Sequence, residues 1–142
     1  MRRVAVLLLA ALPLAPVGAS GMGARLARAH GLALPLPAGW HVVASRLTDC
    51  SDPTQRLAIT GDGALVVLQE RVGHGRAHGP PRPKRFRVTS KASPMECCAV
   101  ADRAGWMFPF VDRERELYAY VYPGRPGSIT TALRTLDGLI TS

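Results

Sequence analysis

Hydrophobic and polar positions along this chain fall into short runs separated by turn signals, the pattern of a β-rich domain. Residues 32–37 alternate poorly and hold Pro35 and Pro37, so they predict at most an edge strand. Ala38-Gly39 marks a turn, and residues 40–44 predict a second strand. Residues 56–60 and 64–69 flank Gly61-Asp62-Gly63, the strongest hairpin signal in the chain. Residues 86–88 fit a short strand. Residues 96–101 and 106–111 are apolar enough for central strands, although Pro109 weakens the second. Residues 112–116 alternate in charge and suit a solvated, self-neutralised hairpin tip. Residues 117–122 then alternate cleanly, with Leu117, Ala119 and Val121 on one face and Tyr118, Tyr120 and Tyr122 on the other. At the end, Ile129, Leu133, Leu136 and Ile140 make one helical stripe behind Ser128, a suitable N-cap. Gly138 would cost that helix about 1 kcal/mol relative to Ala. The pattern predicts an α+β domain, a mainly antiparallel sheet with a C-terminal helix packed on one face.

The first residues follow a different rule. Arg2 and Arg3 precede nine apolar residues, 4–12, and the small-residue pattern Val17-Gly18-Ala19 follows. Charge, a short apolar run and a small-x-small end predict a signal peptide over residues 1–19, cleaved after Ala19. An uncleaved anchor is the alternative, against which the run is short of the about 20 apolar residues of a bilayer span and is interrupted by Pro13 and Pro16. No Cys sits beside the cleavage site to carry a lipid. Residues 20–31 predict a flexible leader, and residues 32–142 a single domain.

Export makes disulfides the expected use of Cys50, Cys97 and Cys98. Neighbouring Cα atoms lie about 3.8 Å apart, below the usual disulfide range of roughly 4.4–6.8 Å, so Cys97 and Cys98 are not expected to pair with each other. A bond from Cys50 to one of them would contribute about 4 kcal/mol in the loop-entropy model. Three small buried hydrophobes are the alternative.

Composition narrows the class further. With 142 residues, 47% hydrophobic and 20% charged, the chain is neither disordered nor long enough for two ordinary domains. Its 14 Gly and 12 Pro follow no period, which excludes collagen-like and solenoid folds. The 16 Arg, two Lys and absent Asn look like the codon bias of a GC-rich bacterium.

The opening Leu34-Pro35-Leu36-Pro37-Ala38-Gly39-Trp40, followed by strands, a late hairpin and a C-terminal helix, resembles the PsbP-like fold. Small exported lipoproteins of actinobacteria share that fold and open with a similar Leu-Pro-x-Gly-Trp signature. The chain is also similar to exported actinobacterial proteins with Cys-Cys and Tyr-x-Tyr segments. The resemblance implies a fold and an exported location; it carries over no catalytic residue.

Candidate chemistry centres on charge, since the net charge is +8. Between Glu70 and Glu96 there is no acid, while Arg71, Arg76, Arg82, Lys84, Arg85, Arg87 and Lys91 are cationic. Residues 71–85 are also rich in Gly and Pro, which predicts an exposed basic loop. Its expected partner is an anionic envelope lipid or polymer, with Arg82, Lys84, Arg85 and Arg87 as the binding residues. Nucleic acid is not expected, because export removes it and no recognition motif is present. His74 and His78 are four apart, but the surrounding glycines and Pro80 deny them a helix, and no metal or other cofactor is expected.

Two alternatives use other residues. A carrier of a small apolar ligand would hold it between helix and sheet with Trp106, Phe108, Tyr118, Tyr120 and Tyr122. A thiol enzyme or redox protein would pair His41 with Cys97 or Cys98. No Gly-x-Ser-x-Gly, His-Glu-x-x-His or phosphate-cradling Gly-rich loop is present, so the balance falls against an enzyme.

Overall fold

The computed structural model describes residues 25–48, 51–73, 75–89 and 104–142. The expected signal peptide, the three cysteines with their expected disulfide, His74, Lys91 and the strand expected at 96–101 lie outside the described residues.

Among the described residues eight strands and one helix follow in the order β1 (Leu26–Ala29), β2 (Leu32–Pro35), β3 (His41–Val42), β4 (Thr54–Gly61), β5 (Ala64–Arg71), β6 (Trp106–Asp112), β7 (Arg115–Tyr122), α1 (Ser128–Asp137) and β8 (Ile140–Thr141). They form a five-stranded sheet, β3-β4-β5-β7-β6, and a three-stranded sheet, β1-β2-β8. Among the described residues these strands pair antiparallel throughout, and Pro81 adds one parallel bridge to Val111 of β6. Helix α1 packs on β5, β7 and β2, and β1 packs on β4, so helix and small sheet together cover one face of the large sheet. This is the α+β architecture that the sequence pattern predicts.

Three tight turns make the hairpins. Asp62 and Gly63 adopt φ 53° and 74° between β4 and β5, the left-handed pair that a two-residue hairpin turn needs. His30-Gly31 and Arg113-Glu114 do the same, although only one of these four residues is glycine. The first of these turns corrects the leader: residues 26–29 are a paired strand with Ala27 buried, so the packed chain begins before Leu32. Strand β2, expected at an edge, is the middle strand of the small sheet, because its prolines fall at or beyond its end.

Strand β5 is buried on both faces from Ala64 to Glu70. Ala64, Val66 and Leu68 meet Leu117, Ala119, Val121, Ala132 and Leu136 on the helix side. Leu65 and Val67 meet Tyr120 and Tyr122 on the other side, with Val43, Leu47, Met107 and Tyr118 around them. The alternation read in residues 117–122 therefore holds. Among the described residues β6 is an edge strand, which accommodates Pro109 and its missing N–H.

The helix differs from its expected outline at both ends. Gly127, with φ 85°, precedes it, and the Ser128 hydroxyl accepts the Gly124 N–H at 2.8 Å rather than capping the helix. The chain leaves the helix at Gly138, where a Cβ would stand 2.5 Å from Pro35 Cγ, and Ile140 is exposed in β8. Gly138 thus lies beyond the helix, and its close approach to β2 is what requires glycine.

Trp40 is buried against Gly61, where a Cβ would fall 2.3 Å from the indole ring. Overpacking a core contact costs about 1–3 kcal/mol. Gly61→Ala should therefore lower the unfolding free energy by at least that amount in urea titration, with the far-UV spectrum of the folded state unchanged.

Candidate functional site

Residues 80–86 of the acid-free segment are docked rather than loose. Arg71 is the last residue of β5. Farther on, the Val111 N–H donates to the Pro80 carbonyl at 2.7 Å and the Arg82 N–H to the Val111 carbonyl at 3.0 Å, which lays residues 80–82 along the edge of β6. Phe86 is buried edge-to-face against Phe108 and Phe110, with ring centroids 5.6 and 5.4 Å away. Its N–H donates to Asp137 Oδ1 at 2.8 Å. Residues 86–88, expected as a strand, form none because these contacts occupy the segment instead.

This anchoring divides the four predicted anion-binding residues. The Arg82 guanidinium donates to Asp112 at 3.0 Å and to the Asp137 and Leu136 carbonyls at 3.1 and 3.5 Å. It caps the C-terminal end of α1, where the helix dipole favours a cation. Arg82 is thus a clamp between the 80–88 segment, the β6–β7 hairpin and the helix, and not a free ligand. Lys84 and Arg85 project beside the anchor, and Arg87 is exposed next to them.

Lys84 and Arg85 form one bank of a groove of about 480 Å³. Phe86 and Leu133 contribute its apolar part, and Thr130, Arg134 and Asp137 of α1 its other bank. Among the described residues Lys84, Arg85, Arg87 and Arg134 make no ion pair. Arg134 was not legible as a partner of the basic segment, since it lies on the helix, about fifty residues along the chain. Arg87 stands outside the groove lining.

Two other hollows have less to offer an anion. One of about 630 Å³ near Gly75 sets Arg76 against Glu114. Another, of about 540 Å³ beside β3 and β4, holds Arg56, which is paired with Glu70, and Arg46, which donates to the Thr48 carbonyl.

The apolar-ligand set is not one site. Trp106 and Phe108 lie opposite Val121 and Ala119 and share the helix-side face. Tyr118, Tyr120 and Tyr122 are on the other face, with Tyr120 and Tyr122 buried in the second cluster. Period-two alternation puts a sheet between the two groups, so the five residues cannot line a single cavity.

The charged β6–β7 tip is not self-neutralised either. Asp112 accepts from Arg82 and from the Thr141 hydroxyl. Arg115 donates to Glu70 at 2.7 and 3.0 Å and to the carbonyls of His30, Gly31 and Ser142. Glu70 also accepts from Arg56 at 3.0 Å. On the opposite face Glu116 accepts from Arg71, the His78 N–H and the Tyr118 hydroxyl, and Arg71 lies 5.3 Å over the Tyr118 ring.

These groups are held for structure, not for acid–base work. The Arg115 hydrogen bond draws the Glu70 carboxyl below its usual range, against burial and together with Arg56. Burial pushes Glu116 up, but Tyr118, the His78 N–H and Arg71 together hold it lower than usual. Burial and then Glu116 push the Tyr118 hydroxyl up to about 12. A general acid or base needs a value near neutrality; all three move away from it.

No family model, curated protein or solved structure matches this chain.

Two outcomes follow from this geometry. Arg82→Ala removes charged hydrogen bonds to partly buried acceptors and should cost about 1–3 kcal/mol in urea titration, whereas Lys84→Ala should stay within about 0.5 kcal/mol. Glu70 and Glu116 have folded values below the unfolded 4.5. Their stabilisation is therefore complete above that value and is lost as pH falls through the folded values. Glu70→Gln should melt below the wild type at neutral pH, and the gap should close in acid.

Proposed function

We propose that this protein is an exported binding module of the bacterial cell envelope, and that it engages anionic lipid or polymer through the groove between residues 84–86 and α1. One observation carries the reading: Lys84 and Arg85 from the segment and Arg134 from the helix face the same groove without an ion pair among the described residues. Export is supported by the charged start, apolar run and Val17-Gly18-Ala19 pattern of the first residues. A PsbP-like fold is the finer assignment we propose for the antiparallel sheets and C-terminal helix, on the strength of the Leu34 to Trp40 opening. Among the described residues no helix is long and apolar enough to cross a membrane. Binding here needs no covalent chemistry, only cations held where the backbone cannot move them away.

A cation near an anionic surface contributes about 1 kcal/mol. The Lys84→Ala, Arg85→Ala, Arg134→Ala triple variant should therefore lose on the order of 100-fold in affinity for phosphatidylglycerol vesicles, and wild-type binding should weaken steeply with salt. Binding indifferent to salt, or an unchanged triple variant, would overturn the reading. Fractionation with intact mass tests export and cleavage: recovery from envelope or culture fluid as a chain beginning at Ser20 supports both, recovery there with Met1 retained refutes cleavage, and recovery from cytoplasm alone refutes export.

A further inference from the structure

The same groove has a charge that selects among anions. Three cations line it, Lys84, Arg85 and Arg134, with one carboxylate, Asp137. The Asp137 Oδ1 atom already accepts the Phe86 N–H at 2.8 Å, which turns that oxygen toward the segment backbone. The carbonyls at the C-terminal end of α1 would ordinarily repel an anion here. Arg82 removes that penalty, because its guanidinium binds the Leu136 and Asp137 carbonyls while Asp112 balances its charge. The groove is left with a net charge of about +2, in the range a phosphate monoester carries near neutral pH (about −1.5 to −2). A phosphodiester or a carboxylate brings only one negative charge.

The shape argues the same way. Cations stand on two banks formed by different elements, so a ligand must offer acceptor oxygens in more than one direction. A phosphate monoester has three free oxygens, and two guanidinium groups can each fork onto it while the Lys84 ammonium adds a third contact. The Thr130 hydroxyl, on the same helix bank, is a further donor. Leu133, half-buried on the helix bank, supplies an apolar contact beside the cations, suited to the carbon skeleton that carries the phosphate. The anchors are rigid: Phe86 is fixed by two phenylalanine rings and Arg134 by a helix. Fixing the backbone that carries the cations lowers the ordering cost of binding.

Resting on the anion-binding reading above, we infer that the groove between residues 84–86 and α1 recognises a terminal phosphate monoester, in preference to phosphodiester or carboxylate groups.

The test compares vesicles of phosphatidylcholine doped with phosphatidic acid against vesicles doped with phosphatidylglycerol to the same zeta potential, both titrated with the full chain. Wild type should bind the phosphatidic acid vesicles roughly tenfold more tightly, the effect of one additional charge-assisted contact. Arg134→Ala should abolish that preference, while Arg28→Ala, which removes an exposed cation outside the groove, should retain it. Glycerol 3-phosphate distinguishes the sources of the ligand. Competition at low concentration supports the inference with a small phosphorylated solute as the ligand, and its failure beside a clear vesicle preference supports it with a lipid. Equal binding to both vesicles overturns the inference while leaving the anion-binding reading intact, and binding to neither overturns both. A preference that survives Arg134→Ala also overturns it, because the groove would then not be the site.

Discussion

Burial of β5 on both of its faces is the constraint from which the architecture follows. A strand whose residues from Ala64 to Glu70 are all buried needs a packed layer on each side. On one side α1 and the small sheet supply it, and on the other Tyr120, Tyr122 and their neighbours do. The same strand ends in two charged residues, which must be paired where they enter the protein. Glu70 meets Arg56 and Arg115 on the helix side, and Arg71 meets Glu116 on the opposite side. Arg115 extends this pairing to the carbonyls of His30, Gly31 and Ser142, so one guanidinium joins the large sheet to the first turn and to the end of the chain. A buried pair of this kind adds modest net stability but is costly to break, since removal of one partner leaves the other uncompensated.

The groove depends on a second, smaller constraint. Phe86 fills space between Phe108 and Phe110, and the residues before and after it are thereby held at the surface. Without that anchor a segment rich in Gly, Pro and Arg would have no reason to lie against the helix. Arg82 reinforces it by binding the helix end, and in doing so leaves Lys84, Arg85 and Arg134 as the cations that line the groove. Cations of one segment therefore divide into those that hold the structure and those that face solvent, and the division is decided by burial of the neighbouring apolar residue.

Much of the fold was legible because its signals are local. Gly61-Asp62-Gly63 supplies the left-handed residues of the β4–β5 turn, and residues 117–122 alternate with the period of a strand. The C-terminal helix was legible from spacing, but not its end, since Gly138 is required by the approach of Pro35 from a distant strand. The first hairpin was hidden because Leu26–Ala29 is short and mixed with charges; His30-Gly31, a pair that tolerates positive φ, was its one clear signal.

By itself the sequence determined the β4–β5 and β6–β7 hairpins, the start of the C-terminal helix, and that the 25 residues between Glu70 and Glu96 carry cations without an acid. Those properties depend on side-chain period, on backbone φ and on composition, all of which act between near neighbours. Only the tertiary structure decided which of those cations are tied into the fold and which line the groove. Arg82 finds Asp112 thirty residues away and the Asp137 carbonyl fifty-five away, and Arg134 joins Lys84 and Arg85 from another element. Charge acts through space rather than along the chain, so its pairing is fixed only when the sheet and helix have brought distant residues together.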